Sequence, residues 1–112
     1  MPEAPESLEF LTAVAALATR LAVDAVIVYS LTYHSLSFGS WELEAGRRKT
    51  RIRVTWEGKD RHLTVATAQL LSGSTARDWQ LAEEHDYRKR RVAIGQLLGS
   101  VEAAMRAHAG LD

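Results

Sequence analysis

The sequence predicts an α+β fold in the order α-β-β-β-β-α: a four-stranded antiparallel meander with an N-terminal helix and a long C-terminal helix on one face. Three observations predict it. Apolar and polar residues alternate in three consecutive runs within Ser40–Ala66, apolar residues recur at helical spacing in Glu6–Ala22, and Thr75–His108 contains no proline. A period of two is typical of half-buried strands, and a spacing of three to four residues is typical of amphipathic helices.

Length and composition predict a single α+β domain spanning residues 1–112, with residues 1–5 disordered. The 112 residues are 46% hydrophobic and include no cysteine, which excludes disulfides and thiolate metal sites. Lys plus Arg (14) equals Asp plus Glu (14), so no overall field attracts nucleic acid or an acidic membrane. The Ala-rich and Arg-rich composition and the absence of a signal pattern favour a bacterial, cytoplasmic protein, and the apolar run Phe10–Ala18 is too short to span a membrane.

The N-terminal helix carries apolar residues on more than one side. Leu8, Leu11 and Val14 begin one stripe, while Phe10 and Leu17 lie on another side. A helix that is apolar on several sides is expected to be sandwiched between two surfaces. The run that follows, Asp24–His34, predicts a first strand with Ile27 and Tyr29 in the core.

Matching side chains across neighbouring strands predicts three registers. Apolar residues are expected to face each other on the inner side, and Glu and Arg on the outer side. The predicted pairs are Tyr33 with Leu43, Ala45 with Thr50, Leu43 with Ile52, Trp41 with Val54, Glu44 with Arg51, Glu42 with Arg53, Val54 with Leu63 and Ile52 with Val65.

The segment after residue 75 predicts one long helix, with Thr75 and Asp78 as a capping box and with Glu84–Arg88 and Asp86–Arg90 as ion pairs. A helix of about 33 residues would be roughly 50 Å long and would overhang a domain of this size, so it either bends near residue 84 or reaches a partner. Along its back, Val92, Gly95, Gly99 and Ala103 form a row of small residues. This row is expected either to pack closely against the first helix or to form a homodimer contact.

Side chains capable of catalysis do not form a recognisable constellation. The four histidines lack metal-ligand spacing. Three alternatives remain: a metal or acid–base site of His34 and His62 with Glu42 and Glu44, a ligand set within Glu83–Asp86, and a magnesium-dependent nuclease site of the restriction-endonuclease type at Glu57-Gly58-Lys59. The sequence therefore predicts no catalytic residue, no metal and no cofactor.

The predicted function is a noncatalytic protein-interaction module of the adaptor, inhibitor or secretion-chaperone kind, which binds itself as a homodimer and an unidentified second protein. Its predicted contacts on the long helix are Trp79, Tyr87, Arg88, Arg91, Gly95 and Gly99. The alternative is a small nucleic-acid-binding protein whose phosphate contacts come from two basic clusters. Those clusters are Arg47, Arg48, Lys49, Arg51 and Arg53, and Arg88, Lys89, Arg90 and Arg91.

Overall fold

The computed structural model describes residues 5–34, 36, 39–70, 78–89 and 91–110, with side chains from Leu8 onward. It has two helices and one antiparallel sheet whose strands lie in the order β1-β2-β3-β4-β5. The elements are α1 (Pro5–Val23), β1 (Ile27–His34), β2 (Ser40–Arg47), β3 (Thr50–Glu57), β4 (His62–Gln69), β5 (Gln80–Asp86) and α2 (Ile94–His108). The disorder expected for residues 1–5 lies outside the described residues, apart from Pro5, which begins α1.

The sheet has five strands, and the prediction of four strands followed by one long helix is wrong. Gln80–Asp86 pairs with β4, with Thr64 opposite Glu84 and His62 opposite Asp86. Gln80–Asp86 consists largely of good helix formers, and its pairing with β4 outweighs this local preference, because tertiary contacts commonly override intrinsic helix propensity. Helix α2 therefore begins only at Ile94.

Because Gln80–Asp86 is a strand, the contacts around it differ from those predicted for the start of a long helix. Asp78 lies in the coil before β5, and Thr75 and Arg90 are outside the described residues. Arg88 does not pair with Glu84. Its Nη2 binds Asp86 Oδ2 at 2.8 Å, and this ion pair lowers the pKa of Asp86 to about 2.

The predicted faces of β2, β3 and β4 are correct, but every predicted register is displaced by two residues. Ala45 lies opposite Ile52, Val54 opposite Val65, and Tyr33 opposite Trp41. A displacement of two leaves each side chain on its predicted face, since the period of a strand is two. The β2–β3 hairpin closes through Arg48 and Lys49 alone, and Arg48 has a φ of 57°, the sign that two-residue hairpin turns require at this position.

A β-bulge at Tyr29 reverses the alternation within β1. Val28 pairs with Ala45, whereas Ser30 pairs with Glu44, so the extra residue moves the following side chains to the opposite face. Ile27 and Tyr29 are consequently 52% and 44% exposed, and their predicted place in the core is wrong. Val26 and Leu31 contribute to the core instead.

Both helices cover the inner face of the sheet and run roughly parallel. Arg20 of α1 binds Glu102 of α2, and Asp24 binds Arg106, so equivalent positions along the two helices meet. The side of α1 that carries Phe10 and Leu17 is buried, whereas the predicted stripe of Leu8, Leu11 and Val14 is divided: Val14 is buried and Leu11 is 45% exposed. The core consists of Phe10, Val14, Leu17, Leu21, Val26, Trp41, Leu43, Ala45, Ile52, Val54, Leu63, Val65, Tyr87, Leu97, Leu98, Val101, Ala104, Met105 and Ala109.

Candidate functional site

The outward faces of α1 and α2 form a broad surface with few charges, called here the helix-layer surface. Among its sixteen exposed, described positions, only Glu9 and Arg20 are charged, in a chain that is 25% charged. The uncharged positions are Leu8, Leu11, Thr12, Ala15, Ala16, Thr19, Ala22, Val23, Gly95, Gln96, Gly99, Ser100, Ala103 and Ala107. Such a surface is unusual in water, because charged side chains normally lie outside.

Three large apolar side chains lie on this surface. Leu8 is 68% exposed, Leu11 45% and Val23 82%. They lie opposite the buried stripe of Phe10 and Leu17, so α1 is apolar on both of its sides. A helix that is apolar all round is normally buried all round, yet within the described chain only one side is covered.

An ion-pair network lies along the seam between the two helices. Arg20 Nη2 lies 2.9 Å from Glu102 Oε1, Arg106 Nη2 lies 3.3 Å from Glu102 Oε2, and Arg106 Nη1 lies 2.5 Å from Asp24 Oδ2. The hydrogen bond from Arg20 and the weaker contribution of Arg106 hold the pKa of Glu102 below its ordinary value. The charges along this seam therefore have partners within the chain, and of the two charged residues on the helix-layer surface Arg20 is paired with Glu102.

The six predicted partner-binding residues do not lie together. Gly95 and Gly99 are on the helix-layer surface, as exposed positions of α2, so the predicted close packing of this row against α1 is wrong. Trp79 precedes β5 on the outer face of the sheet, where the Arg53 guanidinium lies 4.1 Å from its ring centroid. Tyr87 is 5% exposed and packs 5.9 Å from Trp56. These two residues directly precede and follow β5 and do not lie on a helix.

The last two predicted contacts, Arg88 and Arg91, lie between β5 and α2. Arg88 is held by Asp86, and Arg91 is exposed three residues before α2 begins. The pair Gly95 and Gly99 is thus the part of the predicted partner site that belongs to the helix-layer surface.

The first predicted basic cluster is largely occupied by contacts within the chain. Arg47 donates to the Ala109 carbonyl at 3.4 Å, Arg51 donates to the Arg48 carbonyl at 2.8 Å, and Arg53 lies 3.2 Å from Glu44. Arg48 and Lys49 are exposed at the hairpin tip, and Arg90 of the second cluster lies outside the described residues. Nucleic-acid binding by these clusters stays a prediction.

A cluster that joins β5 to the end of α2 contains two residues of the predicted Glu83–Asp86 set together with His108, whose contribution the sequence did not predict. Glu83 Oε1 lies 2.8 Å from His85 Nε2, and Glu83 Oε2 lies 2.6 Å from His108 Nε2. Hydrogen bonds from both imidazoles lower the pKa of Glu83. Reading residues 80–86 with a period of two would have placed Glu83 and His85 on one face, but the helical interpretation separated them.

The other chemical alternatives do not converge in the described residues. His62 lies 3.7 Å from Glu84 on β5, whereas His34 is on β1, three strands away. Glu57 ends β3 at an exposed position, and Lys59 lies in the turn that follows. Across the described part of the chain, no group of three or more histidine and carboxylate side chains is arranged to hold a metal ion.

Comparison with known proteins gives no match. Neither a family model, nor a curated protein sequence, nor a solved structure resembles this chain significantly. None of the described helices combines the length and apolar character needed to span a membrane.

Proposed function

We propose that this protein is a noncatalytic protein-interaction module that pairs with a second copy of itself through the helix-layer surface. The single observation that carries the proposal is the exposed apolar side of α1, with Leu8, Leu11 and Val23 on a surface that has two charges among sixteen exposed positions. Adaptors, inhibitors and secretion chaperones all act by such contacts and need no catalytic group.

The size of the surface suits a dimer. Helices of 19 and 15 residues lying side by side cover roughly 25 Å by 20 Å, or about 500 Å² per copy. Two copies would bury about 1,000 Å², which reaches the lower bound for a specific interface. A patch of this extent also lies at the upper end of what monomeric proteins expose.

Large apolar side chains lie at both ends of the exposed side of α1, with Leu8 and Leu11 near its start and Val23 at its end. An antiparallel arrangement of two copies would set the start of each α1 against the end of the other, so these apolar side chains would meet at both ends of the interface. The same patch then serves both partners, as a two-fold interface requires.

The test compares two variants with the same substitution. Thr12→Arg introduces a charge at the centre of the helix-layer surface, while Thr32→Arg introduces it on the outer face of β1. We expect light scattering to give twice the chain mass of 12.4 kDa for the wild type and for Thr32→Arg, and a monomer for Thr12→Arg. Far-UV circular dichroism checks that all three proteins are folded.

Two results would overturn the proposal. A wild-type protein that remains monomeric at high micromolar concentration has no self-association to explain. A Thr12→Arg protein that remains dimeric, while Thr32→Arg becomes monomeric, would move the interface to the sheet.

A further inference from the structure

A cavity of about 270 Å³ lies where the N-terminal halves of both helices meet the sheet. Its walls come from both helices, three strands and the turn between β3 and β4. The described residues that line it are Phe10, Tyr33, Gly39, Trp41, Trp56, Gly58, Arg61, Val92, Ile94, Leu97 and Leu98. Protein interiors contain few voids larger than a water molecule, and a concave, mostly apolar cavity of this size is typical of a small-molecule site.

The walls of the cavity are unusually aromatic. Four of the eight aromatic residues in the chain line it: Phe10, Tyr33, Trp41 and Trp56. Phe10 stacks on Tyr33 at 5.0 Å and lies 5.3 Å from Trp41, so three of the rings support one another. Trp56 lies directly opposite Trp41 on the neighbouring strand and is only partly buried. The two indoles therefore offer ring surface that another flat ring can contact in an offset or edge-to-face arrangement.

The lining favours a neutral occupant. Arg61 is the charged residue among the described lining residues, and it already has partners within the chain, including the Tyr87 N–H, which donates to its carbonyl at 2.8 Å. A charged ligand would lose its hydration on entering this partly enclosed space, and such a loss is costly unless an opposite charge compensates for it. An uncharged molecule avoids this cost and keeps the gain from apolar contact.

We propose that this cavity binds a small, neutral aromatic molecule whose ring lies against Trp41 and Trp56. A cavity of about 150 Å³ holds benzene, so this larger one has room for a fused pair of rings. The inference goes beyond self-association, because the cavity lies between the helices and the sheet, whereas the helix-layer surface is on the opposite side of the helices.

Calorimetric titration with indole-3-carboxamide tests the site, and indole-3-carboxylate serves as its charged counterpart of nearly equal shape. We expect saturable binding of the amide, and binding of the carboxylate weaker by about tenfold or more, because burying its charge is costly. No saturable binding of the amide, or a carboxylate that binds as tightly as the amide, would overturn the proposal.

The tryptophan side chains locate the ligand without any change to the cavity. Trp41 and Trp56 line it, whereas Trp79 lies on the outer face of the sheet against Arg53. In a titration followed by nuclear magnetic resonance, we expect indole-3-carboxamide to shift the indole N–H signals of Trp41 and Trp56 and to leave that of Trp79 in place. Unchanged signals from Trp41 and Trp56 would place the ligand elsewhere.

Two variants with the same substitution test the location from the side of the protein. Val92 lines the cavity and is partly buried, while Val23 is 82% exposed at the end of α1. We expect Val92→Phe to weaken binding of the amide by about tenfold or more, because the larger side chain fills part of the space, and Val23→Phe to leave it unchanged. Equal affinities for the two folded variants would contradict the proposed site.

The variant that tests pairing separates the two proposals. Thr12→Arg alters the helix-layer surface and does not line the cavity, so it should bind indole-3-carboxamide as the wild type does. A protein that remains monomeric would still be expected to bind the amide. Loss of binding in folded Thr12→Arg would contradict a cavity that acts independently of the helix-layer surface.

Discussion

Gly46 in β2 and Gly99 in α2 differ in the space that a side chain would have. A Cβ on Gly46 would lie 2.6 Å from Arg51 Nη1 and 2.7 Å from its Cδ, whereas a Cβ on Gly99 would meet nothing within 4 Å. Arg51 lies directly opposite Gly46 and crosses over it to reach the Arg48 carbonyl. Gly46 therefore makes room for the arginine that braces the β2–β3 hairpin.

Gly46→Ala should lower the free energy of unfolding by roughly 1–3 kcal/mol, because the methyl group displaces the Arg51 side chain. Gly99→Ala, made in the Thr12→Arg background so that pairing is absent, is the control and should raise it by about 0.5–1 kcal/mol, since alanine favours a helix interior over glycine. Urea denaturation measures both. In an Arg51→Ala background the cost of Gly46→Ala should disappear, and an undiminished cost there would contradict the steric account.

Glu83 makes the stability of the protein depend on pH in the acid range. Its folded-state pKa is lowered from 4.5 by hydrogen bonds from His85 and His108. The unfolded chain therefore binds more protons as the pH falls below 4.5, and the stabilisation is complete above that pH and lost as the pH falls through the folded-state pKa.

Glu83→Gln should remove this contribution, costing about 1 kcal/mol at neutral pH because a neutral amide replaces a charged acceptor. Thermal unfolding between pH 7 and pH 3 measures the effect. The difference in melting temperature between wild type and variant should shrink as the pH falls below 4.5. A difference that stays constant over this range would show that Glu83 is not the responsible group.

Among the elements, β5 changes the surroundings of Tyr87, the residue that directly follows it. In a long helix Tyr87 would be a surface residue able to contact a partner, whereas in the structure it is 5% exposed and packs against Trp56. The predicted long helix and the observed strand therefore lead to very different expected losses of unfolding free energy when the Tyr87 ring is removed.

Tyr87→Ala should lower the free energy of unfolding by roughly 3–5 kcal/mol, as loss of a large buried aromatic side chain does. Tyr29→Ala, which removes a ring that is 44% exposed on the outer face, should cost under about 1 kcal/mol. Chemical denaturation of the two variants makes the comparison. Equal, small costs would favour an exposed Tyr87 and contradict the packing of β5.

The sequence predicted the faces of the sheet because burial repeats every two residues, and Leu43, Val54 and Val65 lie inward as expected. It did not predict the registers, because the turns depend on positive φ at Arg48 and Arg61, which their residue type does not suggest. It missed β5 because the inward positions of that strand carry Glu83 and His85 rather than apolar residues, so the alternation of a strand is hidden.

The candidate interface was partly visible in the sequence. Apolar residues on both sides of the first helix predicted a helix covered twice, and the structure covers it once. Sequence periodicity could not show which side faces the sheet, because Leu8 and Leu11 are as apolar as Phe10 and Leu17. Only the packing of α1 on the sheet separates the core stripe from the helix-layer surface.

For the whole molecule, the proposed dimer links folding to concentration. A folded dimer that dissociates on unfolding is stabilised by mass action, so its melting temperature rises with protein concentration. We expect scanning calorimetry to show this rise for the wild type and for Thr32→Arg, and a constant melting temperature for Thr12→Arg. A concentration-independent wild-type transition would contradict coupling between pairing and stability.

The positions of α1 before the sheet and α2 after it in the sequence also set the order in which their contacts can form during synthesis. Each strand pairs with its neighbour in the chain, so the sheet grows as it is made. Arg20 and Asp24, by contrast, must wait for Glu102 and Arg106, each 82 residues later. At about 5–20 residues per second, α1 spends roughly 4–16 seconds without its helical partner. A chain that terminates before α2 therefore leaves the inner face of its sheet partly uncovered, a feature by which chaperones and proteases recognise unfinished proteins.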